Sequence, residues 1–296
     1  MINANTQLVG LIGHPVSHSF SPLIHNAVFE HLGMNWCYLP LDVHPRHLQE
    51  AVTGLSALGY RGVNVTAPHK ETILPYLDTV DQHAAEVGAV NTLVFQNMEN
   101  GQIIIKGFNT DEYGFIKSLK EEGFDFLSAK KVVIVGAGGA AKAVIMGLIH
   151  SGTTQITILC RDVEKGRASI SRMKLGNKTA DILQVTPYTP QTLNELSQSM
   201  DLLVNATPIG TAPAENQSIY PDEGVMPKNL VVFDLVYNPI KTKLIRQVES
   251  SGAHAIGGLN MLIYQAARSF ELWTGIFPPI EVMKSTFSNM KRGDNA

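Results

Sequence analysis

The sequence predicts an α/β protein of two domains built on mainly parallel sheets. Its 296 residues correspond to two domains of about 150 residues each. Short apolar runs alternate with amphipathic helical patterns, once up to residue 110 and again after Asp125. Repeated strand–helix–strand units favour parallel sheets with helices covering both faces.

The first half of the chain contains strand patterns joined by helical patterns and, once, by a hairpin loop. Ser21 and Pro22 predict a helix start, with serine as the N-cap and proline at the first helical position. The predicted strands are Leu8–Ile12, Trp36–Leu41, Gly62–Val65, Ala89–Phe95 and Gln102–Gly107. The further predicted helices are Leu48–Leu58, Thr79–Val87 and Thr110–Glu122, and Asn97–Gly101 has hairpin chemistry.

The second half repeats this alternation. The predicted strands are Lys131–Val135, Gln155–Leu159, Asp201–Asn205 and Leu230–Asp234, and the predicted helices are Gly139–His150, Val163–Met173 and Leu259–Trp273. We therefore place a first domain at residues 1–110 and a second at 111–257. We expect the C-terminal helices, within residues 258–296, to fold back onto the first domain.

Charge and composition exclude several classes of protein. The 23 basic and 26 acidic residues give a net charge of −3, without the clustered positive charge that nucleic-acid binding requires. The longest apolar runs, such as Val132–Val135 and Leu230–Phe233, are far shorter than the ~20 residues of a membrane-spanning helix. Cys37 and Cys160 lack the spacing of a redox or metal motif. We expect a cytoplasmic protein with a small-molecule partner, no nucleic acid and no membrane.

A glycine turn joins a predicted strand to a predicted helix at Gly136-Ala137-Gly138-Gly139-Ala140-Ala141. Gly136 allows a tight turn, Gly138 lets the backbone approach a pyrophosphate, and Ala141 suits close helix–strand packing. The start of the helix offers free N–H groups and the positive end of its dipole to phosphates. The pattern predicts a Rossmann-type, doubly wound dinucleotide-binding domain, although packing alone can also select such a turn.

The next strand ends at Cys160-Arg161-Asp162, where dinucleotide-binding domains select their cofactor. An aspartate here can accept a hydrogen bond from the ribose of NAD, whereas an arginine can hold the 2′-phosphate of NADP. Because both residue types are present, these residues alone leave the choice between NAD and NADP open.

Polar residues cluster after the strands of the first half, where open α/β sheets bind ligands. Ser17 and Ser19 precede the predicted cap Ser21, which leaves the first two without an evident structural duty. Lys70 follows another strand near a helix start, where the helix dipole disfavours a cation. Asp111 suits a first helical turn, so a purely structural role explains it equally well.

Together these motifs resemble those of the shikimate dehydrogenases, over essentially the whole chain. The matching segments are 17–19, 64–70, 89–92, 109–114, 136–140, 205–210, 234–239 and 258–265. The resemblance implies NADP-linked interconversion of 3-dehydroshikimate and shikimate, a step toward chorismate and the aromatic amino acids. It also implies that the first domain binds substrate and performs catalysis, while the second binds NAD(P).

The resemblance assigns roles to individual residues. It implies that Lys70 and Asp111 form the catalytic pair, with the lysine ammonium as proton donor for ketone reduction. The implied substrate-binding residues are Ser17, Ser19, Asn64, Thr66, Lys70, Asn91, Asp111, Tyr237 and Gln265. The implied cofactor-binding residues are Gly136, Ala137, Gly138, Gly139, Ala140, Ala141, Arg161, Asp162, Thr207, Ile209, Gly258 and Met261. Met261 and Gln265 are four residues apart and share a helix face.

One departure from the family keeps alternatives open. The family commonly has Asn-Arg-Thr where this chain has Cys160-Arg161-Asp162, and the aspartate adds negative charge near a 2′-phosphate. The alternatives are an NAD-using quinate/shikimate dehydrogenase and a non-catalytic metabolite sensor, although a sensor need not keep both Lys70 and Asp111. We expect no metal, because hydride transfer has no oxygen nucleophile to activate. Monomer and homodimer both fit the sequence.

Overall fold

The computed structural model describes residues 2–126, 130–175 and 180–293. The chain divides into two compact units. The first comprises Met1–Ala85, Ala89–Thr110 and Ile263–Ala296, and the second comprises Glu86–Gly88 and Asp111–Leu262. Within the described ranges, none of the helices has the length and continuous apolar character that crossing a membrane requires.

Strands and helices alternate along both units. The strands are β1 Gln7–Gly13, β2 Trp36–Asp42, β3 Gly62–Val65, β4 Thr79–Val80, β5 Thr92–Asn97, β6 Ile103–Phe108, β7 Lys131–Val135, β8 Gln155–Cys160, β9 Leu183–Pro187, β10 Leu202–Asn205, β11 Val231–Asp234 and β12 His254–Gly257. The helices are α1 Ser21–His31, α2 Leu48–Ala57, α3 His69–Thr72, α4 Gln82–Val87, α5 Asp111–Glu121, α6 Gly139–His150, α7 Val163–Ile170, α8 Pro190–Ser197, α9 Lys243–Ser251, α10 Leu259–Thr274 and α11 Ile280–Gly293.

The first unit contains a mainly parallel sheet in the order β2-β1-β3-β5-β6-β4. β5 runs antiparallel to β3 and β6, whereas β1 is parallel to both β2 and β3. The apolar side chains of Leu55, Val63, Val65, Ile73 and Leu93 are at most 6% exposed and belong to its core. Parallel β1 and β3 therefore carry the segments that follow them to the same edge of the sheet.

From Ile263 onward, the C-terminal helices belong to the first unit. α11 packs against α1, and the rings of Phe20 and Phe287 meet edge to face at 5.4 Å. On α10, Trp273 Nε1 donates a hydrogen bond to the Leu93 carbonyl at 2.9 Å. A Cβ at Gly62 would collide with this indole, which explains why β3 begins with glycine.

The second unit contains an entirely parallel sheet in the order β12-β11-β10-β7-β8-β9. Counted from β7, this order is 6-5-4-1-2-3, which is the order of the doubly wound dinucleotide-binding fold. Its strand order reverses between β7 and β10, where Val135 pairs with Asn205. The segments after these two strands consequently lie beside each other, as a ligand-binding crevice requires.

The helix start at residue 21 differs from the prediction. Ser21 is the first residue of α1, and Phe20 occupies the N-cap without a side-chain hydrogen bond. The hydroxyl of Ser19 instead accepts a hydrogen bond from the Ser21 N–H at 3.2 Å. Ser19 thus has the structural contact that the sequence analysis gave to Ser21.

Two predicted elements of the first half begin later than expected. Thr79 and Val80 pair with β6 as a short parallel strand, and Asp81 Oδ1 accepts a hydrogen bond from the His83 N–H at 3.0 Å before α4. Ala89 to Asn91 precede β5, and the Asn91 N–H bonds to the Phe108 carbonyl at 3.0 Å. The prediction also lacked β9, α8, α9 and β12, whose apolar patterns are short.

His25 on α1 is a buried histidine within an aromatic cluster. Its ring stacks on Tyr38 with centroids 4.5 Å apart and also contacts Phe270 and Trp273. Neither ring nitrogen has a hydrogen-bond partner among the described residues. Burial lowers the pKa of His25 from 6.5 to about 3, so the folded unit holds this ring neutral.

We predict that His25→Phe makes the stability of the first unit less sensitive to acid. Between pH 6.5 and about 3 the unfolded chain protonates His25 while the folded unit does not. The free energy of unfolding should therefore fall with decreasing pH by up to about 1.4 kcal/mol per unit from this residue. Urea unfolding at pH 7 and pH 5 measures the slope, and fluorescence reports on this unit because both tryptophans, Trp36 and Trp273, belong to it.

The exposed His31 on the same helix provides a matched control, His31→Phe. It changes the composition of α1 in the same way but leaves the buried aromatic cluster intact. Equal pH slopes for wild type and His25→Phe would contradict the prediction.

Candidate active site

Segments after β1 and β3 lie at one edge of the first unit's sheet. Ile12 pairs with Val65, and the Thr66 N–H continues the pairing with a 2.9 Å hydrogen bond to the Ile12 carbonyl. A Cβ at Gly13 would collide with the Thr66 side chain, so glycine permits this close approach. The loop that carries Ser17, which is exposed, therefore starts beside Thr66.

Lys70 lies on the short helix α3, four residues after Thr66, and is half-buried. The backbone around it is anchored at both sides. The Lys70 carbonyl accepts a hydrogen bond from the Val90 N–H at 2.8 Å, and His69 Nε2 lies 2.7 Å from the Val43 carbonyl. These contacts hold the backbone from which the lysine side chain extends.

The side chains of Asn64 and Asn91 are buried and held by hydrogen bonds. Asn64 Oδ1 accepts a hydrogen bond from the Tyr38 hydroxyl at 2.8 Å. Asn91 Oδ1 accepts one from the Thr110 N–H at 2.8 Å. Gln265, another predicted substrate residue, lies on α10 and is partly buried. The first unit therefore contains Ser17, Ser19, Asn64, Thr66, Lys70, Asn91 and Gln265.

The second unit contains the remaining predicted substrate residues, Asp111 and Tyr237. Asp111 is the first residue of α5 and is 5% exposed. Burial raises the pKa of Tyr237 above its usual value. Thr110, the residue before Asp111, belongs to the first unit, and its hydroxyl lies 2.9 Å from Asn91 Nδ2 and 3.2 Å from Ser269 Oγ. Its hydroxyl thus contacts buried side chains.

The glycine turn after β7 has the geometry of a phosphate cradle. Gly136 has φ +110°, and a Cβ there would lie 3.0 Å from the Ala206 carbonyl oxygen. Gly138 is the N-cap of α6, where a Cβ would meet no atom within 4 Å. Ala141 is fully buried. One glycine therefore permits the turn, while another leaves open space before the helix N-terminus.

A residue that the sequence analysis did not select holds this turn from the side. Ser169 on α7 donates a hydrogen bond from its hydroxyl to the Ala137 carbonyl at 2.7 Å. Ser169 is 8% exposed, and its helix α7 follows β8, the strand that pairs with β7. A serine inside an amphipathic helix carries no distinctive sequence signal, so only the fold shows this contact.

A second network that the sequence analysis missed forms at the ends of β10 and β11. Asn205 Nδ2 donates a hydrogen bond to Asp234 Oδ1 at 2.9 Å, and Thr207 Oγ1 donates one to Asn205 Oδ1 at 2.7 Å. The Ile209 N–H in turn donates to Thr207 Oγ1 at 3.2 Å. The network fixes two predicted cofactor residues, Thr207 and Ile209. Polar residues ending otherwise apolar strands were the available signal.

Asp234 is fully buried at the centre of that network. Burial raises the pKa of its carboxyl group above the usual range, and hydrogen bonds from Thr242, Val236 and Asn205 oppose the rise. The Thr242 hydroxyl is the closest of these donors, at 2.6 Å. Gly258, which directly follows β12, packs on the backbone of Leu235 so tightly that no Cβ fits.

Asp162 has a structural role beside its predicted cofactor role. It is the N-cap of α7, where Oδ1 accepts a hydrogen bond from the Lys165 N–H at 3.0 Å. That bond lowers the pKa of Asp162, and the Lys165 ammonium lies 3.4 Å from Oδ2. Arg161 and Asp162 are both exposed. The Lys165 ammonium therefore offsets part of the negative charge that Asp162 adds near a 2′-phosphate.

Three segments of the chain match descriptions of one enzyme family. Residues 11–93 match the shikimate dehydrogenase substrate binding domain, 118–249 match shikimate/quinate 5-dehydrogenase, and 258–286 match the shikimate 5′-dehydrogenase C-terminal domain. The NADP⁺-dependent shikimate dehydrogenase of Alkaliphilus oremlandii is 43% identical over 288 residues, which are 97% of this chain and 98% of that relative. This chain belongs to the shikimate dehydrogenase family.

Solved structures of shikimate dehydrogenases are similar over nearly the whole chain. A complex with NADP⁺ has a TM-score of 0.87 at 41% identity, covering 98% of this chain and 97% of the other. The Listeria monocytogenes shikimate 5-dehydrogenase, solved with shikimate and NAD, has a TM-score of 0.84 at 34% identity, covering 97% and 98%. These findings confirm the predicted family, the two-domain α/β fold, an oxidoreductase and NADP as cofactor.

We predict that Gly136→Ala destabilises the second unit by ~1–3 kcal/mol, because alanine must adopt a left-handed backbone while its Cβ crowds the Ala206 carbonyl. Gly138→Ala is the matched control, since its φ of −83° suits alanine and the added methyl group meets open space. Calorimetric Tm values and limited proteolysis of the second unit compare the two variants. A Gly136→Ala protein as stable as Gly138→Ala would contradict this account of the turn.

Proposed function

We propose that this chain catalyses the reversible reduction of 3-dehydroshikimate to shikimate with NADP(H), a step of chorismate and aromatic amino acid biosynthesis. Lys70 and Asp111 are the proposed catalytic pair. One observation carries the proposal. In the first unit, adjacent parallel strands β1 and β3 are followed by the segments that carry Ser17, Ser19, Thr66 and Lys70.

The proposed substrate site matches the polar groups of shikimate. Hydroxyl donors of Ser17 and Ser19, with Tyr237, bind the carboxylate. Buried amides with a fixed orientation suit ring hydroxyl groups, because each hydroxyl group both donates and accepts. The residues proposed for the ring hydroxyls are Asn64, Thr66, Lys70, Asn91, Asp111 and Gln265.

The residues around the glycine turn fit a dinucleotide. The open space at Gly138 and the N-terminus of α6, which has no side-chain cap, suit a pyrophosphate. The loop residues Gly136, Ala137, Gly138, Gly139, Ala140 and Ala141 hold it. Thr207, Ile209, Gly258 and Met261 are proposed for the nicotinamide end, and Arg161 for the 2′-phosphate. Bound NADP(H) supplies or accepts the hydride.

Lys70 moves the proton that accompanies hydride transfer. In reduction, the carbonyl carbon receives the hydride and the carbonyl oxygen develops negative charge. The Lys70 ammonium polarises that oxygen and then gives it a proton from Nζ. In the oxidation of shikimate, Lys70 Nζ takes the hydroxyl proton. Asp111, the other member of the proposed pair, accepts a hydrogen bond from a ring hydroxyl group.

We predict that Lys70→Ala lowers kcat at least about 100-fold in both directions, because the oxygen loses its proton donor or acceptor. Steady-state kinetics in the two directions measure the effect. Lys106→Ala on β6 is the control. A change in KM with unaltered kcat would make Lys70 a binding residue only.

A second candidate function is a quinate/shikimate dehydrogenase that also uses NAD. Asp162 favours it, because a carboxylate at this position can bind the ribose of NAD and repels a 2′-phosphate. The occurrence of NAD in the Listeria monocytogenes structure is consistent with such use in a relative. Capping of α7 and pairing with Lys165 limit this effect, so we rank NADP first.

We predict that the wild-type chain has its highest kcat/KM with shikimate and NADP⁺ among the four combinations of shikimate or quinate with NADP⁺ or NAD⁺. Asp162→Thr should lower the KM for NADP⁺ by about two- to fivefold, because threonine keeps the cap and removes an exposed charge. Glu164→Gln, which removes a side-chain charge two residues away and leaves the Asp162 cap in place, is the control. Preference for quinate and NAD⁺ would favour the second candidate.

Further parts of the proposal concern organisation and location. We keep 1–110, with the C-terminal helices, as the substrate-binding and catalytic domain, and 111–257 as the NADP-binding domain. Cys37 and Cys160 are free thiols, which is consistent with a reducing cytoplasm. Monomer and homodimer both stay open, and the proposed partners are small molecules.

A further inference from the structure

Ser269, on α10 of the first unit, is a fully buried hydroxyl group among proposed substrate residues. Its Oγ lies 3.0 Å from the Gln265 carbonyl, one helical turn earlier. It also lies 2.9 Å from Asn64 Nδ2, 2.8 Å from Thr92 Oγ1 and 3.2 Å from Thr110 Oγ1. One side chain thus contacts groups from α10, β3, β5 and the residue before α5.

We propose that Ser269 is a positioning residue for the substrate, which holds the amide of Asn64 directly and supports that of Asn91 through the hydroxyl groups of Thr92 and Thr110. The inference rests on the proposed function, because that function makes the two asparagines substrate ligands. Ser269 itself need not touch the substrate.

Hydrogen-bond donors and acceptors define the orientation of Asn64. An amide nitrogen only donates, so Ser269 Oγ accepts from Asn64 Nδ2, while its single hydrogen can bond to the Gln265 carbonyl or to a threonine hydroxyl. The backbone carbonyl of Asn91, 3.3 Å from Asn64 Nδ2, also requires a donor. Nδ2 therefore faces Ser269, and Oδ1 faces the Tyr38 hydroxyl, which donates at 2.8 Å.

Thr92 and Thr110 connect Ser269 to the amide of Asn91. The Thr110 N–H donates to Asn91 Oδ1 at 2.8 Å, which fixes the amide orientation because a backbone N–H cannot accept. Thr92 Oγ1 lies 3.0 Å from Asn91 Oδ1, and Thr110 Oγ1 accepts from Asn91 Nδ2 at 2.9 Å. Both threonine hydroxyls contact Ser269 Oγ. This one oxygen therefore contacts Asn64 itself and the two side chains that bond to Asn91.

Burial makes this oxygen hard to replace. Ser269 and Thr92 are 0% exposed, Thr110 is 1% exposed and Asn91 is 2% exposed. Water cannot easily substitute at such a site, and a buried polar group that loses a partner retains the cost of its desolvation. Without Ser269 Oγ, Asn64 keeps Thr92 and the Asn91 carbonyl as acceptors. We therefore expect looser amides in a folded protein.

The test compares Ser269→Ala with wild type in the oxidation of shikimate by NADP⁺. We expect the KM for shikimate to rise about five- to tenfold, the size expected for one lost buried hydrogen bond. The KM for NADP⁺ should stay unchanged, because the proposed cofactor residues belong to the second unit. A purely structural role would lower the active fraction, and hence the apparent kcat, without raising the KM for shikimate alone.

Ser118→Ala is the matched control. Ser118 is also fully buried on a helix and donates to the carbonyl one turn earlier, Gly114, at 2.8 Å, but belongs to α5 of the second unit. It should leave the KM for shikimate unchanged. Ser269→Cys keeps the shape of the side chain but has a weaker acceptor, so it should give an intermediate KM for shikimate. If the alanine variant does not fold, the KM of the cysteine variant tests the positioning role.

The outcomes separate the two proposals. A wild-type chain that does not oxidise shikimate with NADP⁺ contradicts the proposed function. An active wild type whose Ser269→Ala and Ser269→Cys variants keep its KM for shikimate contradicts the positioning role. A KM that rises for shikimate and for NADP⁺ alike also contradicts it, since the effect would not be confined to the substrate amides.

Discussion

Parallel strand pairing is the constraint on which both units depend. Each parallel strand delivers its following residues to the same sheet edge as its neighbour, so residues distant in sequence become adjacent there. In the first unit, pairing of Ile12 with Val65 brings Thr66 beside Gly13. In the second, pairing of Val135 with Asn205 brings Gly136 beside Ala206. A Cβ at Gly13 would prevent this contact, and a Cβ at Gly136 would crowd it.

Both units also place fully bonded polar side chains within apolar strands. Asn64 lies in β3, whose residues are all buried, and Asn205 and Asp234 end buried strands. Such groups are costly to bury without partners, and each has several. Their bonds extend to neighbouring loop residues, such as Thr207. Their cost is therefore balanced by a rigid arrangement at the sheet edge, where ligand-binding groups need fixed positions.

The sequence predicted what local patterns determine. Apolar runs located most strands, and Gly136 predicted a tight turn that the structure shows with a positive φ. The positions of caps were less predictable. Ser21 is a suitable cap residue but is the first residue of α1, and Asp162, for which only a cofactor role was expected, caps α7. Thr79–Val80 is too short for a periodic signal and exists as a strand only through its pairing with β6. The bond between Asn64 and Ser269 joins residues 205 positions apart, and no local pattern reports such a contact.

The first unit is interrupted in the chain by the second, and this has a consequence for its folding. Asn64 and Leu93 bond to two residues of α10, Ser269 and Trp273. These partners lie 205 and 180 residues further along the chain. During synthesis from the N-terminus, the second unit is complete before those partners leave the ribosome. The face of the first unit's sheet around Gly62 therefore stays uncovered until α10 has been synthesised and packs against it. Long-range closure of this kind is slow compared with local pairing.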